Sequence, residues 1–302
     1  MSGVRIEPYD PAQADEVLAV INDAFEVPRS PQWFTWKHRD GPWGPSHGVV
    51  ARDDRGLVGV RLLLPWRFKR GDESVLAYRA VEASTVARAQ GQGIFSRLNR
   101  ELMDACDRAE QPTLLFSTPN QLSRNGYKKL GWLWLEPIRH VSYLAPFRRG
   151  RARQDAAVDQ AAIATYTPRP LAAEARLRTA WSAEALEWRL DARSGNRYGA
   201  LAIGSNGIAY RIVEAANQRT ILVLARWGRA EADRTVLAEI SRRERARIVL
   251  DVREGARDRR VALARGESLL TVWSPDTDLA ERWQIDDSRQ WAVGFADLES
   301  VL

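Results

Sequence analysis

The sequence predicts an α/β (α+β) fold of two similar domains, each a mixed, mostly antiparallel sheet flanked by helices. Three observations predict it. The chain has 302 residues, too long for one small domain and suited to two cores of about 150 residues each. Residues 1–145 alternate strand-like and helix-like periodicity in the order strand, helix, hairpin, strand, helix, strand, helix, strands. A faint internal echo sets "FTWKHRD…HGVVARDDRGLVGV" against "LEWRLDARSGNRYGALAIGSNGIAY" at an offset of about 152 residues.

The elements follow in order. "GVRIEPYD" reads as a strand, and Ala14, Val17, Leu18, Ile21 and Phe25 fall on one face of a helix that Pro11 is suited to start. "GVVARDDRGLVGVRLLLPWRF" reads as two antiparallel strands joined by an Asp-Asp-Arg-Gly turn. "SVLAYRAVEASTV" is a further strand that leads into "RAQGQG". After those glycines Phe95, Leu98, Leu102 and Ala105 share one helix face, with Arg97, Arg100, Asp104 and Asp107 on the other. "PTLLFSTPN" is a short strand, "QLSRNGYKKLGW" a helix stopped by Gly131, and "WLWLEPIRHVSYL" one or two closing strands. These place a first domain over 1–147, a proline- and arginine-containing linker over 148–167, and a second domain over 168–302. The alternative for the linker is an ordered helix over "DAAVDQAAIA".

Composition narrows the function classes. No apolar run approaches the roughly 20 residues of a membrane span, so a soluble protein with no membrane partner is expected. "MSGVRIEPYDPAQADEVL" lacks an apolar signal core, and Cys106 is the only cysteine, which implies a reducing, cytoplasmic setting. The net charge is +6. It is spread evenly, with 26 Arg against 22 acidic residues from 146 onward and 19 Lys or Arg against 17 acidic residues before. Interleaved acids argue against a nucleic-acid groove. His38, His47 and His140 lie in different elements without metal-ligand spacing, so no metal is expected.

The turn "RAQGQGIFSRL" carries the chemistry. A strand ending in Arg88-x-x-Gly91-x-Gly93 and turning into a helix presents backbone N–H groups at the positive end of that helix, where pyrophosphate fits. A Rossmann site would need a third glycine in a parallel βαβ unit, and a Walker loop would need Gly-Lys-Ser/Thr. Neither is present.

"ARAQGQGIFSRL" resembles the acyl-CoA-binding signature Gln/Arg-x-x-Gly-x-Gly/Ala of the GNAT superfamily of N-acyltransferases. "PNQLSRNGYKKLGW" resembles that family's next motif, an Asn followed seven residues later by Tyr and then Leu-Gly-aromatic. Asn120, Ser123, Tyr127, Leu130, Gly131 and Trp132 match it in register, whereas Gly126 departs from the usual apolar residue. The resemblance covers the whole first domain and implies two tandem GNAT-like domains, the first active and the second degenerate, since "RAQGQG" and the Asn-to-Tyr motif do not recur.

The implied activity is acyl transfer from acetyl-CoA, or another acyl-CoA, to a primary amine of a small molecule such as an amino sugar. The alternative is an acyl-CoA-binding or scaffold protein without turnover. Arg88 and the amides of Gln90, Gly91, Gln92, Gly93, Ile94 and Phe95 would hold the pyrophosphate. The strand edge at Ala83, Ser84 and Val86 would pair with pantetheine, helped by Asn120 and Ser123. Asn120 also reads as a helix N-cap. Tyr127 would protonate the departing thiolate. Glu82 is the candidate base toward the ammonium of the acceptor, an exposed strand carboxylate or a partner for Arg79 being its bland reading and a water chain the alternative route. Trp33, Trp36 and Arg39 would face the acceptor, or else anchor a loop. Shaping the acceptor cleft or supporting a homo-oligomer are the roles left to the second domain.

Overall fold

A computed structural model of the chain describes residues 3–25, 27–108, 113–146, 159–169, 176–215, 218–252 and 262–298. The first elements are β1 (Arg5–Pro8), α1 (Ala14–Ala24), α2 (Pro31–His38), β2 (His47–Asp53), β3 (Gly56–Arg70) and β4 (Glu73–Thr85). Then come α3 (Ile94–Asp107), β5 (Leu114–Ser117), α4 (Gln121–Lys129), β6 (Leu133–Trp134) and β7 (Ile138–Leu144). The second half holds α5 (Gln160–Ala164), β8 (Arg178–Thr179), α6 (Ala183–Arg189), β9 (Tyr198–Ile203), β10 (Asn206–Ala215) and β11 (Gln218–Trp227). It continues with α7 (Asp233–Glu244), β12 (Ile248–Val252), β13 (Ala264–Ser268), β14 (Thr271–Trp273), α8 (Thr277–Trp283) and α9 (Phe295–Leu298).

Two compact units result. The first comprises 1–135 with 270–291, the second 136–269 with 292–302. The first unit's sheet runs β1-β2-β3-β4-β5-β14-β6, antiparallel at every pair except β4–β5. The second unit's sheet runs β13-β7-β12-β11-β10-β9, antiparallel except at β11–β12. Each is the mixed, mostly antiparallel sheet that the sequence predicts.

The domain limits differ from those read off the sequence. β7, expected to close the first sheet, pairs with β12 and β13, while β14 pairs with β5 and β6. β7 and β14 therefore each close the sheet formed mainly by the other half of the sequence. Strand membership is decided by distant pairing, which a local apolar pattern does not encode. The linker expected over 148–167 also shrinks. Residues 147–158 lie outside the described residues, but Asp159 caps α5 through its carboxylate and Ala162 and Ile163 are buried in the second core.

In the first unit α1 buries Val17, Leu18 and Ile21, while Phe25 follows the last turn in extended conformation and is 44% exposed. α3 packs its Ile94, Leu98, Leu102 and Cys106 face onto Val49, Ala51 and Val58 of the sheet. Burial pushes the Cys106 thiol up to about 11, which suits a filler and not a nucleophile. Gly59 permits the close approach, because a Cβ there would lie 2.8 Å from the Ile94 side chain. Helix α2 was not anticipated. Its signal was present in the sequence as Ser30-Pro31: the Ser30 hydroxyl accepts from Trp33 N at 3.1 Å, and proline suits a first turn.

Candidate active site

β4 shapes the site by departing from regularity twice. Its pairing with β3 shifts register between Val60 and Leu62, opposite Ser84 and Val81, and the bulge puts Glu82 at φ +51°. A non-glycine residue held there is strained, a feature that collects at functional sites. On its other edge β4 pairs with β5 only over Ala77–Arg79, against Leu114–Phe116. Beyond Arg79 the two parallel strands part, and the edge of β4 that would face β5 carries no ladder. Ser117 marks the fork, its hydroxyl donating to the Ala80 carbonyl at 3.3 Å.

β4 delivers the chain to a single 3₁₀ turn, Ala87–Ala89, and then to Gln90–Gly93. Gly91 has φ +76° and Gly93 φ +72°, conformations that glycine adopts without penalty. A Cβ at either would meet nothing within 4 Å, so backbone conformation and open space, rather than internal crowding, set these glycines. Gly93 is the N-cap of α3 and supplies no side-chain cap, which leaves the first-turn amides facing outward. The nearby side chains bind within the turn. Gln90 donates to the Thr85 carbonyl at 3.2 Å and Gln92 to the Arg88 carbonyl at 3.3 Å. Arg88 is held by Asp53, so a phosphate would have to compete with that carboxylate for it.

α4 positions the second motif. The Asn120 side chain accepts from Ser123 N at 2.9 Å, and the Ser123 hydroxyl donates back to Asn120 Oδ1 at 3.0 Å. Both residues thus act as the helix cap. Tyr127, two turns on, is 2% exposed; its hydroxyl donates to Ser117 Oγ at 2.9 Å and accepts from Arg61. Its ring lies edge-on to Phe95 and Trp132, with centroids 5.7 and 4.8 Å away. Gly126 is explained by the same packing. A Cβ there would lie 2.4 Å from the Phe95 ring, so glycine at 126 and phenylalanine at 95 are complementary.

On the strand before the turn, Glu82 is 9% exposed and its Oε1 accepts from Lys37 Nζ at 2.5 Å, with His38 Nε2 at 3.7 Å. Burial pushes the Glu82 carboxyl up, yet the Lys37 charge and the His38 ring outweigh it and hold it at about 2. Burial pulls His38 below its usual range, and its Nδ1 sits 3.0 Å from Ser46 Oγ. A carboxylate so acidic and so occupied is a weak proton acceptor, which detracts from Glu82 as the base. Its neighbour is Lys37, not the Arg79 considered from sequence; Arg79 donates to Thr118 at 2.9 Å.

The residues expected to face an acceptor separate. Trp36 is fully buried and belongs to the core. Trp33 is buried between the Arg29 and Lys37 cations, 5.1 and 4.9 Å from its ring, and Arg39 is exposed and donates to the Pro11 carbonyl at 3.1 Å. Sequence reading missed Arg61 and Ser117, and the contact of Lys37 and His38 with Glu82. Lys37 and His38 were visible as polar residues beside Trp36, whereas nothing local marks Arg61 or Ser117. Among the described residues no group of three His, Cys, Asp or Glu is placed to hold a metal ion, and no helix is long and apolar enough to cross a membrane.

A family model described as an acetyltransferase (GNAT) domain matches residues 5–135. Those residues are a GNAT domain. No curated protein matches the sequence. Among solved structures, a probable N-acyltransferase from Enterococcus faecalis V583 is similar at a TM-score of 0.64 and 14% identity, covering 90% of this chain and 72% of that one. A GCN5-related N-acetyltransferase from Kribbella flavida is similar at 0.64 and 16%, covering 90% and 71%. Eis1 from Mycobacterium abscessus is similar at 0.55 and 14%, covering 93% and 75%. At these identities the likeness is one of fold, and it extends beyond the GNAT domain into the second unit.

Proposed function

We propose that the protein transfers an acetyl or other acyl group from acyl-CoA to a primary amine of a small molecule, such as an amino sugar, by direct attack in a ternary complex. The observation that carries this reading is the pair of positive-φ glycines feeding an uncapped helix N-terminus beside the free edge of β4. The amides of Gln90–Phe95 would bind pyrophosphate, and Ala83, Ser84 and Val86 would pair with pantetheine. The amine nitrogen attacks the thioester carbonyl carbon, the C–S bond breaks, and the thiolate takes its proton from the Tyr127 hydroxyl. The ammonium proton leaves through water, with Glu82 acting as a fixed negative charge beside Lys37. Trp33 and Arg39 remain the acceptor-side candidates.

The closed surroundings of Tyr127 and Glu82 favour a second reading, acyl-CoA binding without turnover. One experiment addresses binding and both readings follow from it. Calorimetric titration with acetyl-CoA and desulfo-CoA is expected to give micromolar affinity, abolished by Gly91→Glu and only weakened by Gly91→Ala, which shares the backbone strain without the charge. No binding by the wild type sinks both. Binding without release of CoA thiol in the presence of an amine leaves the second.

A further inference from the structure

Arg61 sits on β3 at the register shift, opposite the bulge of β4, and is 2% exposed. Each of its three side-chain nitrogens donates to a neutral group. Nε donates to Asn99 Oδ1 and Nη1 to the Val81 carbonyl, both at 3.2 Å, and Nη2 to the Tyr127 hydroxyl oxygen. Among the described residues no carboxylate pairs with it. A buried guanidinium stays charged, and one lacking a counterion is costly to keep. Such an arrangement is expected where a negative charge appears transiently.

The geometry fixes where that charge would form. With Arg61 donating to the phenol oxygen, the phenol hydrogen is turned toward Ser117 Oγ, 2.9 Å away. Ser117 in turn donates to Ala80, where β4 and β5 part. The proton of Tyr127 is thereby aimed at the fork rather than into the core.

We propose that Arg61 is a positioning residue for acyl transfer: its guanidinium, without a carboxylate partner, orients the Tyr127 hydroxyl and stabilises the negative charge left on that oxygen when its proton passes to the departing thiolate. The proposal rests on the acyltransferase reading above. The proton moves from Tyr127 to sulfur as the C–S bond breaks, and solvent returns a proton to the phenolate oxygen afterwards. Arg61 itself neither gains nor loses one.

The test compares Arg61→Met, Arg61→Lys, Tyr127→Phe and the Arg61→Met/Tyr127→Phe double variant. Thiol release from acetyl-CoA is followed with glucosamine and with spermidine as acceptors, and desulfo-CoA affinity and thermal midpoint are measured in parallel. Arg61→Met is expected to lower kcat by about 10- to 100-fold with KM for acetyl-CoA nearly unchanged. It should have no further effect in the Tyr127→Phe background, and Arg61→Lys should recover part of the loss. Should Arg61→Met not fold, Arg61→Lys carries the same comparison with and without Tyr127→Phe. Losses that multiply in the double variant, or a kcat that does not fall, overturn the role of Arg61 while acyl transfer stands. A wild-type protein that binds desulfo-CoA yet releases no thiol with either amine, or that binds no CoA, overturns the acyltransferase reading and the proposal with it.

Discussion

The first unit leaves the entry to its crossover helix free of acidic side chains, and the second places a carboxylate in the first turn of its own. In both, an antiparallel hairpin leads to a strand with a register shift, a 3₁₀ turn, a helix and a parallel strand: β3–β4–α3–β5 in one, β10–β11–α7–β12 in the other. In the first, Gln90–Gly93 separate the 3₁₀ turn from α3 and no side chain caps the helix. In the second, the turn Ala230–Ala232 runs directly into α7, which likewise has no side-chain cap but whose first residue is Asp233. That carboxylate is held by Arg169 and by Arg226 at 2.9 Å, and Arg226 also meets Asp251. An anion site at a helix N-terminus is a matter of backbone and dipole, so it can be closed by moving one carboxylate into it.

The repeat also changes its buried cation. Where Lys37 of α2 meets Glu82, Arg189 of α6 follows Trp188 as Lys37 follows Trp36, is fully buried, and donates to the Ala296 carbonyl at 3.2 Å and the Tyr198 hydroxyl at 2.5 Å. The bulged position of β11 is Leu224, not a carboxylate. The second unit keeps the architecture but buries a different set of charged residues, among them Arg189, Glu244 and Asp251.

The largest expected effect separates chemistry from binding in the first unit. Tyr127→Phe should lower kcat by on the order of 10²-fold and leave desulfo-CoA affinity within error, as read by steady-state kinetics and calorimetry. Next, Asp233→Ala should leave CoA affinity intact yet lower unfolding free energy by about 2 kcal/mol, because Arg169 and Arg226 lose a partner in a half-buried place. A fall in CoA affinity in that variant would break the comparison. A smaller loss, about 1–2 kcal/mol, is expected for Gly126→Ala from overpacking against Phe95, and Phe95→Leu should recover part of it in a double-mutant cycle.

A further effect is one of pH. Glu82 is held at about 2, below the 4.5 of an ordinary glutamate. Its ionised form therefore adds stability that is fully present above pH 4.5 and is lost as pH falls toward 2. Glu82→Gln should be less stable than wild type near neutrality, with the gap closing across that window in acid denaturation monitored by circular dichroism. A gap that stays constant would mean that the Lys37 pairing is energetically idle.

Much of this comparison was legible in the sequence. The glycine turn, the helix faces, Tyr127 in register with Asn120, and the missing turn of the second half all stand out because they are local patterns. What escaped is long-range. The exchange of β7 and β14 depends on which distant edge accepts each strand. Arg61 and Ser117 reach Tyr127 only through the fold, 66 and 10 residues away in sequence. The retreat of Trp36 and Glu82 from solvent follows from α2, whose apolar and cationic residues alternate too irregularly to show a buried face. Gly126 is the instructive intermediate: its departure from the family pattern was visible, but its reason, the Phe95 ring, was not.

The contrast between a helix entry free of carboxylates and one that carries Asp233 is tested most directly by amide hydrogen exchange with and without desulfo-CoA. Added desulfo-CoA should slow exchange across 90–96 and along 83–86 and leave 230–236 unchanged. Protection at 230–236, or none at 90–96, would contradict the account.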